Sequence, residues 1–330
     1  MPPAACVRAA VLVGCLVLAA SGQAAPICTR HPSSAATLER LKAAMGEGRF
    51  IAYQPTSLSV RNGQLSRADP AGIRADLAAL RPRFDSLITY SASNGAEAIP
   101  EIATALGFRA LIIGIWDPFN ESEVDAALAA AHRYPSLVVG ISVGNEMVFA
   151  HRRTAEQLTR RLAELRERAP AIPLATAEPF HIFYSEPARG LLGEVDFLLA
   201  IIHPVFQPWF RTSPDANAAR FVVNVVGELA QRYCGAILVK ETGVPTAPAT
   251  AGFSAARQAS FYRELRHAFP PAQQRAFAYF AAFDAPWRAA DEQASPGIHP
   301  EEAHWGLYDE ARAPKEVVRD IPLLPTTPVR

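Results

Sequence analysis

Eight short apolar runs, each followed by a stretch of helical periodicity, alternate along the chain from residue 50 to residue 283. They are Phe50 to Pro55, Ser86 to Tyr90, Arg109 to Trp116, Leu137 to Met147, Ile172 to Ala177, Asp196 to Ile202, Ala236 to Val239 running into Lys240 and Glu241, and Ala276 to Phe283. A run such as Leu137-Val-Val-Gly-Ile-Ser-Val143 has no polar face, so it is a strand buried on both sides, as parallel strands under helices are. Eight βα repeats without a break in composition predict an α/β chain folded as a single (β/α)8 TIM barrel over residues 50–330. A doubly wound open sheet is the competing architecture. It needs a glycine-rich phosphate turn after its first strand, and Tyr53-Gln-Pro-Thr56 is not one. Residues 26–49 read as a leader with one short helix, Ala36 to Met45, closed by Gly46.

The first 25 residues have a different character. Arg8, an apolar stretch from Ala9 to Ala20 and the small residues of Ser21-Gly-Gln-Ala-Ala25 read as a signal peptide cleaved after Ala24 or Ala25, which predicts a secreted or periplasmic protein. The apolar part is too short for a comfortable membrane span. Leu12-Val-Gly-Cys15 resembles a lipoprotein box but lies inside the apolar region, with too little of it before. Cleavage removes Cys6 and Cys15 and leaves Cys28 and Cys234, one before the first strand and one directly before the seventh. Both fall at the N-terminal face of a barrel, and in an oxidising compartment they are expected to pair; two buried free thiols are the other reading. With 32 basic residues against 32 acidic ones and no basic stripe, nucleic acid and anionic membrane surfaces are poor partners, and the mature chain is expected to be a monomer without stable membrane insertion.

The chemistry sits where the strands end. The C-terminal tips of barrel strands are where active sites are built, and they carry Tyr53, Tyr90, Trp116, Asn145, Glu146, Glu178, His203, Glu241, Asp284 and Trp287. This rim is rich in carboxylates and aromatic rings. It has no phosphate-binding turn and no His/Asp cluster at metal-ligand spacing, and it calls for no metal or organic cofactor. An oligo- or polysaccharide suits it, because sugar C–H faces stack on rings, hydroxyls bond carboxylates and amides, and carboxylate pairs cleave glycosidic bonds. Glu146 and Glu241, on the fourth and seventh strands, are expected to lie about 5–5.5 Å apart, the separation used by retaining glycosidases. The better hydrogen-bonded one loses its proton first and leaves the other as the acid.

Four segments, Val143-Gly-Asn-Glu-Met147, Glu241-Thr-Gly-Val-Pro-Thr246, Phe283-Asp-Ala-Pro-Trp-Arg288 and Glu302-Ala-His-Trp-Gly-Leu-Tyr308, together resemble glycoside hydrolase family 17, in particular its bacterial branch, across nearly all of the mature chain. The resemblance implies a (β/α)8 retaining enzyme acting on β-1,3-linked glucan, as an endo- or exo-hydrolase or a glucanosyltransferase. It carries the acid/base role to Glu146, the nucleophile to Glu241, 2-hydroxyl binding to Asn145, and a later family glutamate to Glu302. Four positions depart from the pattern. Val244 stands where the family has a tryptophan, which predicts the loss of one sugar platform. Lys240 precedes the nucleophile in place of a small residue, and Ala285 replaces a glutamate, with Arg288 three residues on in place of a lysine.

Other readings accompany these. Lys240 near a strand end brings to mind a Schiff-base lysine, but strict strand alternation turns it to the helix layer if Glu241 faces the mouth. His203 orients the nucleophile or packs against Phe206. Trp116, Trp287 and Trp305 are sugar platforms or rim packing, and Glu178 lines the site or holds a turn. A carbohydrate-binding pseudoenzyme is a further alternative, resting on Ala285 alone.

Overall fold

The computed structural model describes residues 25–28, 31–61, 64–290 and 299–325; the expected signal segment up to Ala24, with Cys6 and Cys15, lies outside them. Eight strands close into a barrel: β1 Phe50–Ala52, β2 Ser86–Ile88, β3 Ala110–Ile115, β4 Val138–Asn145, β5 Leu174–Pro179, β6 Phe197–Ile201, β7 Ala236–Glu241 and β8 Arg275–Tyr279. Every pairing is parallel and between sequence neighbours, and β1 pairs with β8 to shut the ring. This is the (β/α)8 architecture predicted from the alternation.

Period-two alternation divides the strand residues between two cores. One set, including Phe50, Ile88, Ile112, Val139, Phe197, Leu199 and Leu238, fills the barrel, and Leu41, Ala44 and Met45 of α1 (Ala35–Glu47) join it. The helix expected in the leader is therefore the plug of the barrel's N-terminal end; Arg40 ties it there through the carbonyl of Ser136 at 3.0 Å. The other set, including Ile51, Ile113, Ile141, Leu198 and Val239, packs outward against the helices.

Those helices are α2 Pro70–Leu80, α3 Ile99–Ala105, α4 Glu121–Arg133, α5 Ala155–Arg168, α6 Arg189–Glu194, α7 Asp215–Ala230 and α8 Ala255–Ala268. Asp69 caps α2 by accepting from the Gly72 N–H at 2.8 Å, with Pro70 in the first turn, as their order in sequence predicts. The start of α4 is held in another way. Asn120 is the cap, but Glu123 does not complete a capping box. Its buried carboxylate instead accepts from the Ser91 hydroxyl and the N–H groups of Ala92, Trp116 and Asp117, stitching the ends of β2 and β3 together. Four donors satisfy a buried carboxylate better than one backbone N–H does. After the barrel, Glu316–Asp320 forms a 3-10 turn. A two-stranded ribbon, Val60–Arg61 with Gln64–Leu65, was not foreseen.

At the closed end Cys28 and Cys234 are joined, with Cα atoms 5.0 Å apart. Ile27 and Tyr233 pair beside them, and the Cys234 N–H donates to the Ile27 carbonyl at 3.0 Å.

Candidate active site

Two irregularities in the barrel ladder bring the chemistry to its open end. On β7, Val239 is paired with Ala200 and Glu241 with Ile201, so Lys240 is an extra residue against β6. Such a bulge breaks the alternation and turns two successive side chains to one face. Lys240 follows Leu238 on the inward phase, and the bulge adds Glu241 to the same side. The expectation that Lys240 faces the helix layer is thereby corrected. Its side chain is 1% exposed, 3.6 Å from Glu241 Oε1, with its ammonium 4.2 Å from the centroid of the Tyr90 ring and hydrogen-bonded to Asn145 Oδ1.

On β4 the register shifts between Ser142 and Asn145. Gly144 takes φ +83° and Glu146 φ +52°, a region that favours glycine for the first and is uncommon for a side chain such as the second. Non-glycine residues held there cluster at functional sites. The turn after Glu146 is fixed from β5: the buried Glu178 carboxylate accepts from the N–H groups of Val148 at 2.9 Å and Phe149 at 3.1 Å. Of the two roles open to Glu178, the structure gives the turn. The Glu241-Thr-Gly segment passes so close to β8 that a side chain on Gly243 would meet the Phe280 carbonyl oxygen at 2.1 Å, which accounts for a glycine there.

The two glutamates titrate in opposite directions. Burial raises Glu146 to about 7, and the negative charge of Glu241 pushes the same way against the partial relief of Lys240 and Arg288. Burial would raise Glu241 too, but the His203 hydrogen bond, Lys240 and Arg288 overcome it and hold that carboxyl at about 2. His203 Nε2 lies 3.5 Å from Glu241 Oε2, while its ring packs against Phe206, Phe280 and Trp305. Among the described residues neither the Tyr90 hydroxyl nor Glu241 Oε1 has a hydrogen-bond partner at ordinary distance, and Glu241 Oε1 faces the Lys240 ammonium at 3.6 Å.

Beside this centre lies a cavity of about 290 Å³, lined among others by Gln54, Ser59, Tyr90, Phe280, Asp284, Ala285, Trp287, Arg288, Glu302, Trp305 and Glu310. It gathers Tyr90, Asp284, Trp287 and Glu302 from the residues singled out in the sequence. Asp284 is partly spoken for, accepting from Lys315 Nζ at 2.7 Å and the Gly306 N–H at 2.8 Å. Glu302 pairs with Arg288 at 3.2 Å, and that guanidinium lies 4.8 Å from the centroid of the Phe280 ring. Ala285 lines the cavity, so the missing carboxylate is missing from the ligand side.

Three expectations change. Tyr53 is not a ligand residue: it is fully buried between sheet and helices, with its hydroxyl donating to Asp76 Oδ2 at 2.9 Å, because in β1's alternation it follows Ile51 outward. Val244 is buried in that same layer, so its replacement of an aromatic removes no platform from the cleft. Trp116 is on the rim, 39% exposed beneath Arg152, but does not line the cavity. The sequence reading missed Gln54, Ser59 and Glu310, which lie in loops without periodicity. It also missed the Arg288 to Glu302 pair, for which the opposite charges inside two adjacent motifs were the available signal.

Comparison with known proteins places this site in context. Residues 51–306 match the BtgE/BtgC glycoside hydrolase domain. A glucan 1,3-beta-glucosidase of Arthroderma benhamiae is 28% identical over 277 residues, covering 78% of this chain and 88% of that protein. Among solved structures, the glycoside hydrolase family 17 beta-1,3-glucanosyltransferase of Rhizomucor miehei superposes with a TM-score of 0.62 at 21% identity, over 82% of this chain and 96% of that one. An endo-laminarinase from Formosa Hel1_33_131 superposes with a TM-score of 0.66 at 19% identity, over 84% and 86% of the two chains.

Proposed function

The chain belongs to the BtgE/BtgC glycoside hydrolase domain family, and on that premise we propose that it is an exported, retaining β-1,3-glucan hydrolase of the family 17 type, with Glu146 as acid/base and Glu241 as nucleophile. The observation that carries this reading is the divergence of the two carboxyls, Glu146 held protonated to about 7 and Glu241 held ionised to about 2. Two carboxyls whose environments drive them apart are the signature of an acid and a nucleophile in one site.

The steps follow from that charge distribution. Glu241 attacks the anomeric carbon while the Glu146 proton passes to the glycosidic oxygen, so the bond to the leaving chain breaks as a glycosyl ester forms on Glu241. Glu146, now a carboxylate, takes a proton from water, whose oxygen displaces Glu241 and restores the original anomeric configuration. If a sugar hydroxyl takes the place of water, the same two glutamates perform glucanosyl transfer. Asn145 at the mouth meets the sugar 2-hydroxyl, and Tyr90, Trp287 and Glu302 meet sugar along the cavity. The β-1,3 linkage is supported by the activity named for the Arthroderma relative, and export by the leader and by the Cys28 to Cys234 pair, which suits an oxidising compartment.

Product analysis on a β-1,3-linked glucose oligomer, beside β-1,4- and β-1,6-linked controls, tests the reading by mass spectrometry. Shorter products from the β-1,3 oligomer alone are expected; longer ones identify the transferase, and no change in any of them refutes the enzyme. Glu241→Ala should lose turnover and regain it with azide as a product of inverted configuration. Rescue of that kind in Glu146→Ala instead would exchange the two roles.

A further inference from the structure

We propose that Lys240 is a positioning residue for glycoside cleavage: its ammonium fixes the Asn145 amide with the carbonyl oxygen turned inward, so that the NH2 end is presented to the 2-hydroxyl of the bound sugar. The inference rests on the function proposed above and adds a residue to which that function assigned no part.

Three observations carry it. First, Lys240 follows Leu238 on the inward phase of β7 and so faces the mouth, where the bulge sets Glu241 beside it, and the side chain is 1% exposed. A buried ammonium requires partners, and a lysine is not retained in such a place for packing alone. Second, its partners are specific: Asn145 Oδ1, Glu241 Oε1 at 3.6 Å and the face of the Tyr90 ring. Third, an ammonium has three donors and no acceptor. Asn145, itself buried, has only one way to satisfy it, by offering the carbonyl end. A neutral neighbour able to accept would leave the amide free to turn over. Lys240 thus decides a polarity that Asn145 cannot decide by itself.

The same ammonium bears on the charge at Glu241. The titratable and charged groups around it are Glu241 on its own strand, Glu146 after β4, Tyr90 after β2 and Arg288 after β8, with His203 after β6 on the far oxygen of Glu241. Of these, Lys240, Arg288 and His203 favour the ionised nucleophile, so removing Lys240 weakens that support without abolishing it.

The test compares a dinitrophenyl β-laminaribioside with its analogue lacking the 2-hydroxyl on the sugar that bears the aryl group. Hydrogen bonds to the 2-hydroxyl strengthen in the transition state by several kcal/mol, so the wild type is expected to prefer the full substrate in kcat/KM by about 100-fold or more. Lys240→Met should narrow that preference about 10-fold, and Lys240→Arg, still a donor-only cation, should preserve most of it. Asn145→Ala should narrow it as well, and the double variant should be no worse than Asn145→Ala, because coupled residues are not additive. The acid limb of kcat/KM in Lys240→Met should move up by about one pH unit. The preference is a ratio within one preparation, so the fraction of folded enzyme does not enter it. If Lys240→Met does not fold, Lys240→Gln, which can accept as well as donate, carries the same expectation. Equal losses on both substrates, or multiplicative losses in the double variant, would overturn the role of Lys240 in an enzyme that remains active. A wild type inactive on both substrates and on β-1,3-glucan would overturn the glycosidase reading and this inference with it.

Discussion

On the mechanism proposed above, Glu146 has to act as an acid in one half-reaction and as a base in the other, and its charged neighbours supply a way to do so. In the free enzyme burial raises its carboxyl to about 7, with the negative charge of Glu241 as the next contribution. When Glu241 becomes a glycosyl ester, that negative charge disappears while Lys240 and Arg288 remain, and both pull Glu146 down. The acid of the first step is thereby converted into the base that the second step requires. For kcat/KM, which reports the free enzyme, Glu241 must be ionised and Glu146 protonated. The plateau should therefore extend well below pH 4, with an acid limb near 2 where the fold survives, and should end near 7. At pH 8 about a tenth of Glu146 keeps its proton, and each further unit costs another factor of about ten. Under single-turnover breakdown of a preformed glycosyl-enzyme the dependence reverses: the rate should fall towards low pH, because Glu146 must then be ionised. Glu146→Gln should remove the basic limb, lower kcat on glucan by about 100- to 10,000-fold, and spare the first step with a dinitrophenyl leaving group, which needs no proton. Stopped-flow release of the aryl group and quench-flow of the ester separate the steps. A basic limb that survives in Glu146→Gln, or ester breakdown that accelerates towards acid, would refute this account.

Glu178→Gln keeps the shape of the residue but sets an NH2 against one of the N–H groups of Val148 and Phe149, so the turn behind Glu146 loosens; kcat should fall by up to about tenfold with KM little changed, in line with the loss of a hydrogen bond of about 0.5–1.5 kcal/mol. Burial also raises Glu178 to about 7, and a carboxyl raised on folding binds its proton more tightly in the native state, so stability should decline as pH rises from about 4.5 to 7. Differential scanning calorimetry should show that decline in the wild type and a smaller one in Glu178→Gln; equal slopes would exclude Glu178 as a source. Free-thiol titration of the unfolded, unreduced mature chain should find almost none, since Cys28 and Cys234 are bridged across 206 residues of sequence. Two thiols per chain would remove the bridge, whereas with it present Cys28→Ser should lower the thermal midpoint by about 5–10 °C.

The barrel was legible because seven of its eight strands are buried along their whole length and the longer helices between them carry the 3.6-residue pattern, so the two periods announce the alternation without help from tertiary contacts. The tips were legible for a related reason: a polar group such as Glu146 or Glu241 closing an apolar strand has no use in the core. What failed was the inference of direction from strict alternation where the ladder is broken. Tyr53 follows the rule and points outward, and counting from Phe50 places it there; the expectation of a ligand residue arose from its position at a strand end alone. Lys240 is the converse. The rule cannot place both Lys240 and Glu241 in the mouth, and the bulge that does so leaves no mark in the residues themselves, because it is set by the register of β7 against β6. Val244 fails for the same kind of reason, since whether a position after a strand tip looks inward depends on how the chain leaves the barrel. Bulges concentrate at barrel rims and beside active sites, so sequence alternation is least reliable where the chemistry is. The functional residues most easily lost to such a reading are therefore the immediate neighbours of the ones it finds, and here that neighbour is Lys240.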